Sequence, residues 1–482
     1  MQYSNIWEAD VLQWMDDFTI YGADIGTNQN RMLNGPYAEI TRSDLQADPD
    51  PTAGGGMVLR KYGGGLGGDL RKVLSAPQTT IGIAARFWLS NLPINSTIGE
   101  CPTFASFRDA NNANHVRFSL TSAGQLVAYR TDAAGDVQIG ITANPVLIAN
   151  AWRHMEFKVF LDPAAGSIEA RLEGQQVLYV NAIRTTSNVA GAIASCLQVA
   201  QSSCQDVAGP VMYMKHYIVW DGTGAQNNNF LGSCTVYRLD PAADANLNWL
   251  TSAGATGFNL INELTPDDDG TYITAYGTLP TPANGALSAT AAGALGATTY
   301  YVRSTWVSPT GETLGAPETS LAVAANNVLN VAAPATPPTG ATGWNVYVST
   351  AAGTETKQNA APIGIAAAWV EPATGLIAGA ALPGANTTVP PQPYVCTLTQ
   401  LPIAVTSVKG VMPIHRSRKT DGGDGYVQSG MISGGSTSLG SSRPITTAYT
   451  YWQDIIELDP NGAIPWTKTS VNNSKLQLNR TV

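Results

Sequence analysis

Charge is the property that this sequence has least of. Only 13% of its 482 residues are charged, and 26 Lys and Arg against 35 Asp and Glu give a formal net charge of −9. Globular proteins usually carry about 25% charged residues. Without a basic block, the chain cannot neutralise many phosphates, and it has little attraction for an anionic membrane surface. Nucleic-acid binding and membrane binding are therefore excluded as main functions.

Cysteine and long apolar runs are also scarce. Five Cys in 482 residues are too few for a disulfide scaffold, and no CxxC pair indicates a metal or redox site. No stretch approaches the length of a membrane span, and acids stand at the start where a signal peptide needs basic and then apolar residues. We predict buried thiols, no membrane insertion, and synthesis in a cytoplasm without a Sec-type signal.

Turn residues and apolar residues are abundant. The chain has 48 Gly and 29 Pro, yet 44% of it is hydrophobic, which is typical of a folded, turn-rich protein. Alternation of apolar and polar residues predicts antiparallel strands at 116–130, 152–162, 167–180 and 210–222. Helical patterns are confined to short pieces such as 7–17. The predicted fold class is all-β.

The strand at 210–222 is apolar on both sides. Strict alternation predicts that one face carries Val211, Tyr213, Lys215, Tyr217 and Val219. The other face would carry Met212, Met214, His216, Ile218 and Trp220. Such a strand is predicted to lie inside a two-layer sandwich rather than at its rim.

Two seams rich in Gly, Ala, Pro and Thr divide the second half of the chain, at 280–297 and 377–393. Between them, short strands are predicted, with a turn at 308–313. Their natural core aromatics are Trp306, Trp344, Tyr347 and Trp369. This spacing predicts a small antiparallel sandwich.

The module between the seams resembles the fibronectin type III-like domains of bacteriophage tail proteins. The resemblance depends on the YYVRSTWVSPTGET hairpin and the GWNVYVS strand. The flanks resemble the laminin-G-like, concanavalin-fold structural proteins of tailed phages, and this likeness covers nearly the whole chain. It depends on segments such as RMLNGPYAEI, HYIVWDGTGAQNNNFLGSC, LINELTPDDDGTY and PIHRSRKTDGGDGYVQSGMISGG.

The resemblance implies three parts. Residues 1–240 would form a laminin-G-like, concanavalin-like jelly-roll sandwich, and 241–280 plus 394–482 a second β-sandwich that is split in two. Residues 281–393 would be a fibronectin type III-like sandwich inserted in a loop of the second one, where insertions are tolerated.

Catalytic patterns are weak. A glycosidase needs two carboxylates facing each other across a cleft, whereas the acids here fall in turns. None of the four His stands in a hydrolase or metalloprotease motif. From these residues we predict that the chain is not an enzyme and has no catalytic residues, and the pattern identifies no ligand-binding residue.

Calcium is the metal that the residues favour, although no cofactor is required. The turn TPDDDGTY and the loop WDGTGAQNNN offer carboxylate and amide oxygens, which are the ligands that Ca²⁺ prefers. The candidate ligands are Asp221, Asn227, Asn228, Asp267 and Asp269. The alternative is that these residues make ordinary Asx turns without a metal.

The resemblance implies a virion structural protein, as a tail fibre, tail-tip or head-fibre component that adheres to a host-surface glycan through many weak sites. Its partners would be other virion proteins and further copies of itself, without nucleic acid. Its location would be the virion, after assembly in the host cytoplasm. Two alternatives stay open, a glycan-degrading tail depolymerase on the same fold and a purely architectural subunit.

Overall fold

The structure is a computed structural model of the chain. It describes residues 12–16, 39–40, 45–49, 57–61, 69–92, 102–202, 211–223, 226–254, 256–263, 267, 269–388, 393–420 and 424–481.

Strands make up nearly all regular structure of these residues. The first sixteen are β1 (Leu12–Asp16), β2 (Glu39–Ile40), β3 (Leu45–Pro49), β4 (Met57–Lys61), β5 (Asp69–Gln78), β6 (Thr80–Leu89), β7 (Thr103–Arg108), β8 (Asn114–Leu120), β9 (Leu126–Asp132), β10 (Gly135–Ile141), β11 (Arg153–Phe160), β12 (Gly166–Leu172), β13 (Gln175–Ile183), β14 (Cys196–Ser202), β15 (Met212–Asp221) and β16 (Pro241–Asn246). The next ten are β17 (Leu250–Thr251), β18 (Ile273–Thr274), β19 (Leu287–Ala291), β20 (Thr298–Ser308), β21 (Gly311–Glu312), β22 (Thr319–Val323), β23 (Asn327–Val331), β24 (Gly343–Ser349), β25 (Thr356–Lys357) and β26 (Trp369–Val370). The last are β27 (Tyr394–Leu398), β28 (Ile414–Ser417), β29 (Tyr426–Ser433), β30 (Ser436–Leu439), β31 (Arg443–Pro444), β32 (Thr450–Gln453), β33 (Leu458–Asp459), β34 (Ile464–Pro465) and β35 (Lys475–Thr481).

Helix is almost absent from the described residues, which hold a 3-10 turn at Phe258–Leu260 and the helix α1 (Lys468–Asn473). None of the described helices has the length and apolar character that crossing a membrane requires. The predicted helix at 7–17 is wrong where it can be compared, because Leu12–Asp16 is β1 and pairs with β15. Leu12 and Met15 are buried against this sheet, and a short segment gains more from that burial than from an isolated helix. Residues 7–11 and 17 lie outside the described residues.

The chain forms two compact units. The first unit comprises 1–245, 261–270 and 395–482, and the second comprises 246–260 and 271–394. The finer division into 1–240, 241–280 plus 394–482, and 281–393 stays a prediction.

The first unit is built on two antiparallel sheets. One has the order β13-β12-β11-β6-β15-β4-β3, with β1 also paired to β15, and the other has the order β10-β9-β8-β7-β14-β5-β2. Alternate residues of both sheets turn inward, and Phe87, Phe104, Phe118 and Phe157 meet at the centre of the core. This two-sheet sandwich is a jelly-roll, lectin-like fold, and the all-β prediction is confirmed.

The C-terminal segment of the first unit completes this core. β16, β27, β35, β29 and β30 form a further sheet in that order, and β28 and β32 form a separate ribbon. Tyr451 of the ribbon belongs to the core of the two-sheet sandwich, and Met412 and Ile414 pack against it.

The second unit is a small antiparallel sandwich. Its sheets have the orders β19-β23-β26 and β21-β20-β24-β25, with β22 also paired to β20. Trp306, Trp344 and Trp369 lie in its core, as predicted, while Tyr347 is buried but lies outside that core cluster and donates its hydroxyl to Glu312 Oε1 at 2.8 Å.

The predicted faces of β15 are wrong beyond Lys215. The register of β15 against β6 shifts between Lys215 and Ile218, and His216 takes a positive φ of 55°. This bulge exchanges the two faces. Met212 and Met214 point into the core before it, Tyr217 and Val219 after it.

None of the described cysteines is in a disulfide bond. Cys196 and Cys396 are buried and Cys234 is half-buried, whereas Cys101 and Cys204 lie outside the described residues.

Candidate functional site

A row of polar side chains crosses the outer face of the seven-stranded sheet. The antiparallel register aligns one residue from each of six neighbouring strands. Five of the six are polar, and we call them the polar row: Arg71, Ser106, Arg117, Tyr129 and Gln138; the sixth is Ala200. Their sequence neighbours Leu70, Phe107 and Val116 lie in the core, so alternation turns the row outward.

Arg117 is at the centre of the row and is held on three sides. Its Nη1 donates to Ser119 Oγ at 2.9 Å, and its Nη2 donates to Asp136 Oδ2 at 2.7 Å. Its guanidinium carbon lies 4.6 Å from the centroid of the Tyr129 ring. The Arg117 side chain keeps 19% of its surface exposed, so it is oriented and still reachable from solvent.

A second polar layer lies beside the row. Arg108 Nε donates to Ser106 Oγ at 3.0 Å and to Asn114 Oδ1 at 2.9 Å, and Arg71 Nη1 donates to Gln198 Oε1 at 2.9 Å. Ser106, Arg108 and Gln198 are buried by their neighbours. The face therefore presents the guanidinium groups of Arg71 and Arg117, the amide of Gln138 and the ring of Tyr129 at its surface. Buried hydroxyl, amide and guanidinium groups lie beneath and beside them.

The long loop between β13 and β14 is fixed to one end of this sheet by two buried residues. Asp109 Oδ2 accepts the N–H of Ile193 at 2.7 Å, and His115 Nδ1 accepts the N–H of Ser187 at 3.0 Å. His115 Nε2 lies 2.8 Å from the carbonyl oxygen of Ile193, so its proton is on Nε2. Burial is the main cause that lowers the pKa of His115, which favours this neutral form.

The outer face of the eight-stranded sheet is partly covered by a segment from Phe230 to Cys234, which we call the strap. Glu156 Oε1 accepts the N–H of Leu231 at 2.7 Å and of Gly232 at 3.1 Å. Phe230 packs edge-on against Trp220, with the guanidinium carbon of Arg171 3.9 Å from its ring centroid. The strap is therefore bound through its backbone and through one aromatic side chain.

Beneath the strap lies a buried histidine. His154 Nε2 is 3.9 Å from Glu156 Oε2, and each of the two side chains is 1% exposed. Burial and then Arg86 lower the pKa of His154 to about 4, while burial raises the pKa of Glu156 against the opposing effect of the two strap N–H groups. His154 is thus neutral at physiological pH.

The predicted calcium ligands are engaged in separate contacts. Asp221 Oδ1 accepts from the N–H and the hydroxyl of Thr223, at 2.8 and 2.6 Å. Asn227 Nδ2 donates to the Lys409 carbonyl at 2.8 Å. Neither of these contacts involves Asp267 or Asp269.

Asp269 forms an ion pair with a cation. Asp269 Oδ1 accepts from Arg418 Nη2 at 2.6 Å and from the Tyr449 hydroxyl at 2.8 Å, and Tyr449 followed by Arg418 lowers the pKa of Asp269. Asp267 is exposed and receives the N–H of Gly270 on its carbonyl, and Asn228 also has an interaction. Among the described residues, no three His, Cys, Asp or Glu side chains group as a metal site. Calcium stays a prediction.

Sequence reasoning missed the polar row. The available signal was the polar set at alternate positions of neighbouring strands, with Ser106 and Arg108 on β7, and Arg117 and Ser119 on β8. Alternation predicts that such residues lie on the face of the sheet away from the core. The register that aligns them across six strands depends on strand pairing, which the sequence of a single strand does not reveal.

No protein-family model and no curated protein matches the chain. Among solved structures, an endo-β-1,4-glucuronan lyase from the fungus Trichoderma reesei is 11% identical, with 38% of this chain and 90% of that one covered and a TM-score of 0.29. The potassium-bound carbohydrate recognition domain of Emp46p is 10% identical, with 44% and 97% covered and a TM-score of 0.28. A Trypanosoma rangeli sialidase is 13% identical, with 36% of this chain and 27% of the sialidase covered and a TM-score of 0.23.

These structures comprise a carbohydrate recognition domain and glycan-active enzymes, and none of them bears on a phage origin. The prediction that the chain is not an enzyme is corrected: a lyase and a sialidase stand among its structural neighbours, so the weak catalytic patterns of the sequence do not exclude an enzyme. The prediction depended on the scarcity of paired acids, which argues only against a glycosidase that uses two carboxylates. One fold can serve both glycan binding and catalysis. At these TM-scores the likeness does not decide whether the chain binds a glycan or cleaves one.

Proposed function

We propose that the first unit recognises a carbohydrate through the outer face of its seven-stranded sheet. The polar row is the observation that carries this proposal. Sugars present vicinal hydroxyls, which pair with planar guanidinium and amide groups such as those of Arg71, Arg117 and Gln138. The C–H face of a sugar ring packs on an aromatic ring such as that of Tyr129. Arg117 is already oriented by Ser119 and Asp136, so little side-chain entropy is lost when a sugar binds.

Glycan-array binding of the full chain tests this proposal. We expect Arg117→Gln and Tyr129→Ala to reduce binding by about tenfold each, since each removes a contact of about 1–2 kcal/mol. Lys158→Gln is the matched control, because Lys158 lies in the other sheet and is paired with Asn229. Array binding by both row variants at the level of the parent chain would refute the assignment. Release of reducing ends from the bound glycans, measured in parallel, shows whether recognition is coupled to cleavage.

We further propose that the chain is a virion protein of a tailed phage, displayed as a tail-fibre, tail-tip or head-fibre component in several copies. The sequence resemblance over nearly the whole chain supports this proposal, and multiple copies would convert weak glycan sites into useful avidity. Immunogold labelling of purified particles with antibodies against the first unit tests it. Labelled particles would support it, and unlabelled particles that contain no such chain by mass spectrometry would rule it out.

A further inference from the structure

The tripeptide Asn-Gly-Ala occurs at two places in the described part of the chain, at 284–286 and at 461–463. In an Asn-Gly pair, the backbone nitrogen of the glycine can attack the amide carbon of the Asn side chain, because glycine has no Cβ to obstruct the approach. Both tripeptides have the same sequence, so a difference in their reactivity has to come from the fold. A third Asn-Gly pair, at 34–35, lies outside the described residues.

Asn284 is held in place by its side-chain amide. Its Nδ2 donates to three acceptors, which are the carbonyl oxygens of Val302 and Pro317 and the hydroxyl of Thr319, at 3.0, 2.7 and 2.9 Å. The backbone at Gly285 is also confined, since a Cβ added there would overlap the carbonyl oxygen of Ala332. Attack by the Gly285 nitrogen therefore requires the Asn284 amide to leave its acceptors and the peptide unit to rotate in a filled space.

Asn461 lies at the exposed tip of the hairpin that joins β33 to β34. Its backbone N–H donates to Asp459 Oδ1 at 2.9 Å, whereas no hydrogen bond joins its side-chain amide to the described residues. Gly462 is exposed, with a φ of 95° and open space where a Cβ would be. The Gly462 N–H donates to the carbonyl of Pro460 at 3.1 Å, within the same turn. Rearrangement of this turn breaks local contacts and leaves the sheets intact.

We propose that Asn461 is a site of spontaneous covalent modification in the folded protein, and that the fold protects Asn284 from the same reaction. The Gly462 nitrogen forms a bond to Asn461 Cγ and loses its proton, while the Cγ–Nδ2 bond breaks and Nδ2 leaves as ammonia. Water then opens the five-membered succinimide ring at either carbonyl, which yields aspartate or isoaspartate. No atom is oxidised or reduced. The reaction is independent of the proposed glycan binding.

The modification changes a contact between two hairpins. The Asn461 amide packs on Gly434, in the turn between β29 and β30, where an added Cβ would overlap it. The buried Asp459 already places a carboxylate beside the Asn461 backbone. A second carboxylate at position 461 repels the first, and isoaspartate adds a methylene to the backbone of the turn. Both products therefore weaken the turn and its contact with Gly434.

Incubation of the full chain at neutral pH, followed by peptide mapping with mass spectrometry, tests the proposal. We expect Asn461 to be converted at least about tenfold faster than Asn284, because more hydrogen bonds have to be broken at Asn284. Unfolding in guanidinium chloride should remove this difference, since both tripeptides then lie in an open chain. Thr319→Val removes one acceptor of Asn284 and should raise its conversion about fivefold.

Two further variants complete the experiment. Asn461→Gln should abolish conversion at this position, because its longer side chain would have to close a larger ring. Asn461→Asp reproduces one product and should show faster hydrogen exchange at the Gly462 amide than the parent chain. Thermal midpoints establish that all variants are folded.

Equal conversion of Asn284 and Asn461 in the folded chain would overturn the inference. Faster conversion of Asn284 would also overturn it, as would conversion of Asn461 only after unfolding. None of these results affects binding on the glycan array, so the proposed function is tested separately.

Discussion

Gly82 shows how closely single residues pack on the outer face of the eight-stranded sheet. It lies opposite Trp220, and a Cβ added at Gly82 would stand 2.2 Å from the ring of that fully buried side chain. We expect Gly82→Ala to lower the free energy of unfolding by about 2 kcal/mol, because the indole has no room to move. Gly425→Ala is the control, since its Cβ would meet nothing closer than 3.9 Å. Urea unfolding measures both, and equal midpoints would contradict the expectation.

His154 makes stability depend on pH. Its pKa is lowered from 6.5 to about 4, so the folded protein favours the neutral ring. The stability it contributes is complete above pH 6.5, falls as the pH drops, and is lost by pH 4, at a cost of about 3 kcal/mol. The raised pKa of Glu156 acts in the opposite direction, because protonation of that carboxyl favours the fold.

Thermal midpoints between pH 7 and pH 4 test this linkage in His154→Gln. We expect its midpoint to fall less steeply with acid than that of the parent chain. His415 provides an internal comparison, since burial and Arg443 also lower its pKa to about 4. His415→Gln should flatten the profile by a similar amount, and parallel profiles for all three chains would contradict the assignment.

Calcium removal tests the acidic turn. Asp269 is ion-paired with Arg418 and accepts a hydrogen bond from the Tyr449 hydroxyl, so we expect the thermal midpoint in EDTA to equal that in calcium. A midpoint that rises with calcium concentration would show a bound ion instead, since a ligand that binds only the folded state stabilises it.

The strap is an element whose attachment depends on one carboxylate. Glu156→Ala leaves the N–H groups of Leu231 and Gly232 without their acceptor, and we expect a loss of about 3 kcal/mol. Hydrogen exchange should then increase at both amides. Glu156→Gln keeps one acceptor oxygen and should retain most of the protection. Unchanged exchange in Glu156→Ala would show that Phe230 alone holds the strap.

The elements that local alternation defines were predictable, and those that depend on pairing were not. The strand at 298–308 and the buried Trp306, Trp344 and Trp369 follow from the period of two. Tyr347 instead donates to Glu312, which lies two strands away in the same sheet, so strand pairing decides its environment. The bulge at His216 reverses the faces of β15, and no residue type in the sequence predicts this bulge. The polar row could not be predicted for the same reason, since only the strand register places Ser106 beside Arg117 and Tyr129.

On the scale of the molecule, the second unit has a core of its own. Its buried cluster draws its members from Tyr276 to Trp369 and includes three Trp. We therefore expect residues 271–394, produced alone, to unfold in one cooperative transition when followed by tryptophan fluorescence. If the tryptophan fluorescence instead changes gradually with temperature, without a baseline for the folded state, residues 271–394 require the rest of the chain to fold.

The first unit joins chain segments that are synthesised far apart. β1 pairs with β15, the N–H of Leu12 donates to Glu457 Oε1 at 2.8 Å, and Tyr451 completes the core of the two-sheet sandwich. During translation, the sheets formed by residues 69–221 therefore lack part of their core until residues 412–451 have been synthesised. Contacts of such long range slow folding and expose apolar surface to aggregation. Co-expression with a chaperone that shields the apolar surface of the incomplete sandwich should therefore raise the yield of folded protein.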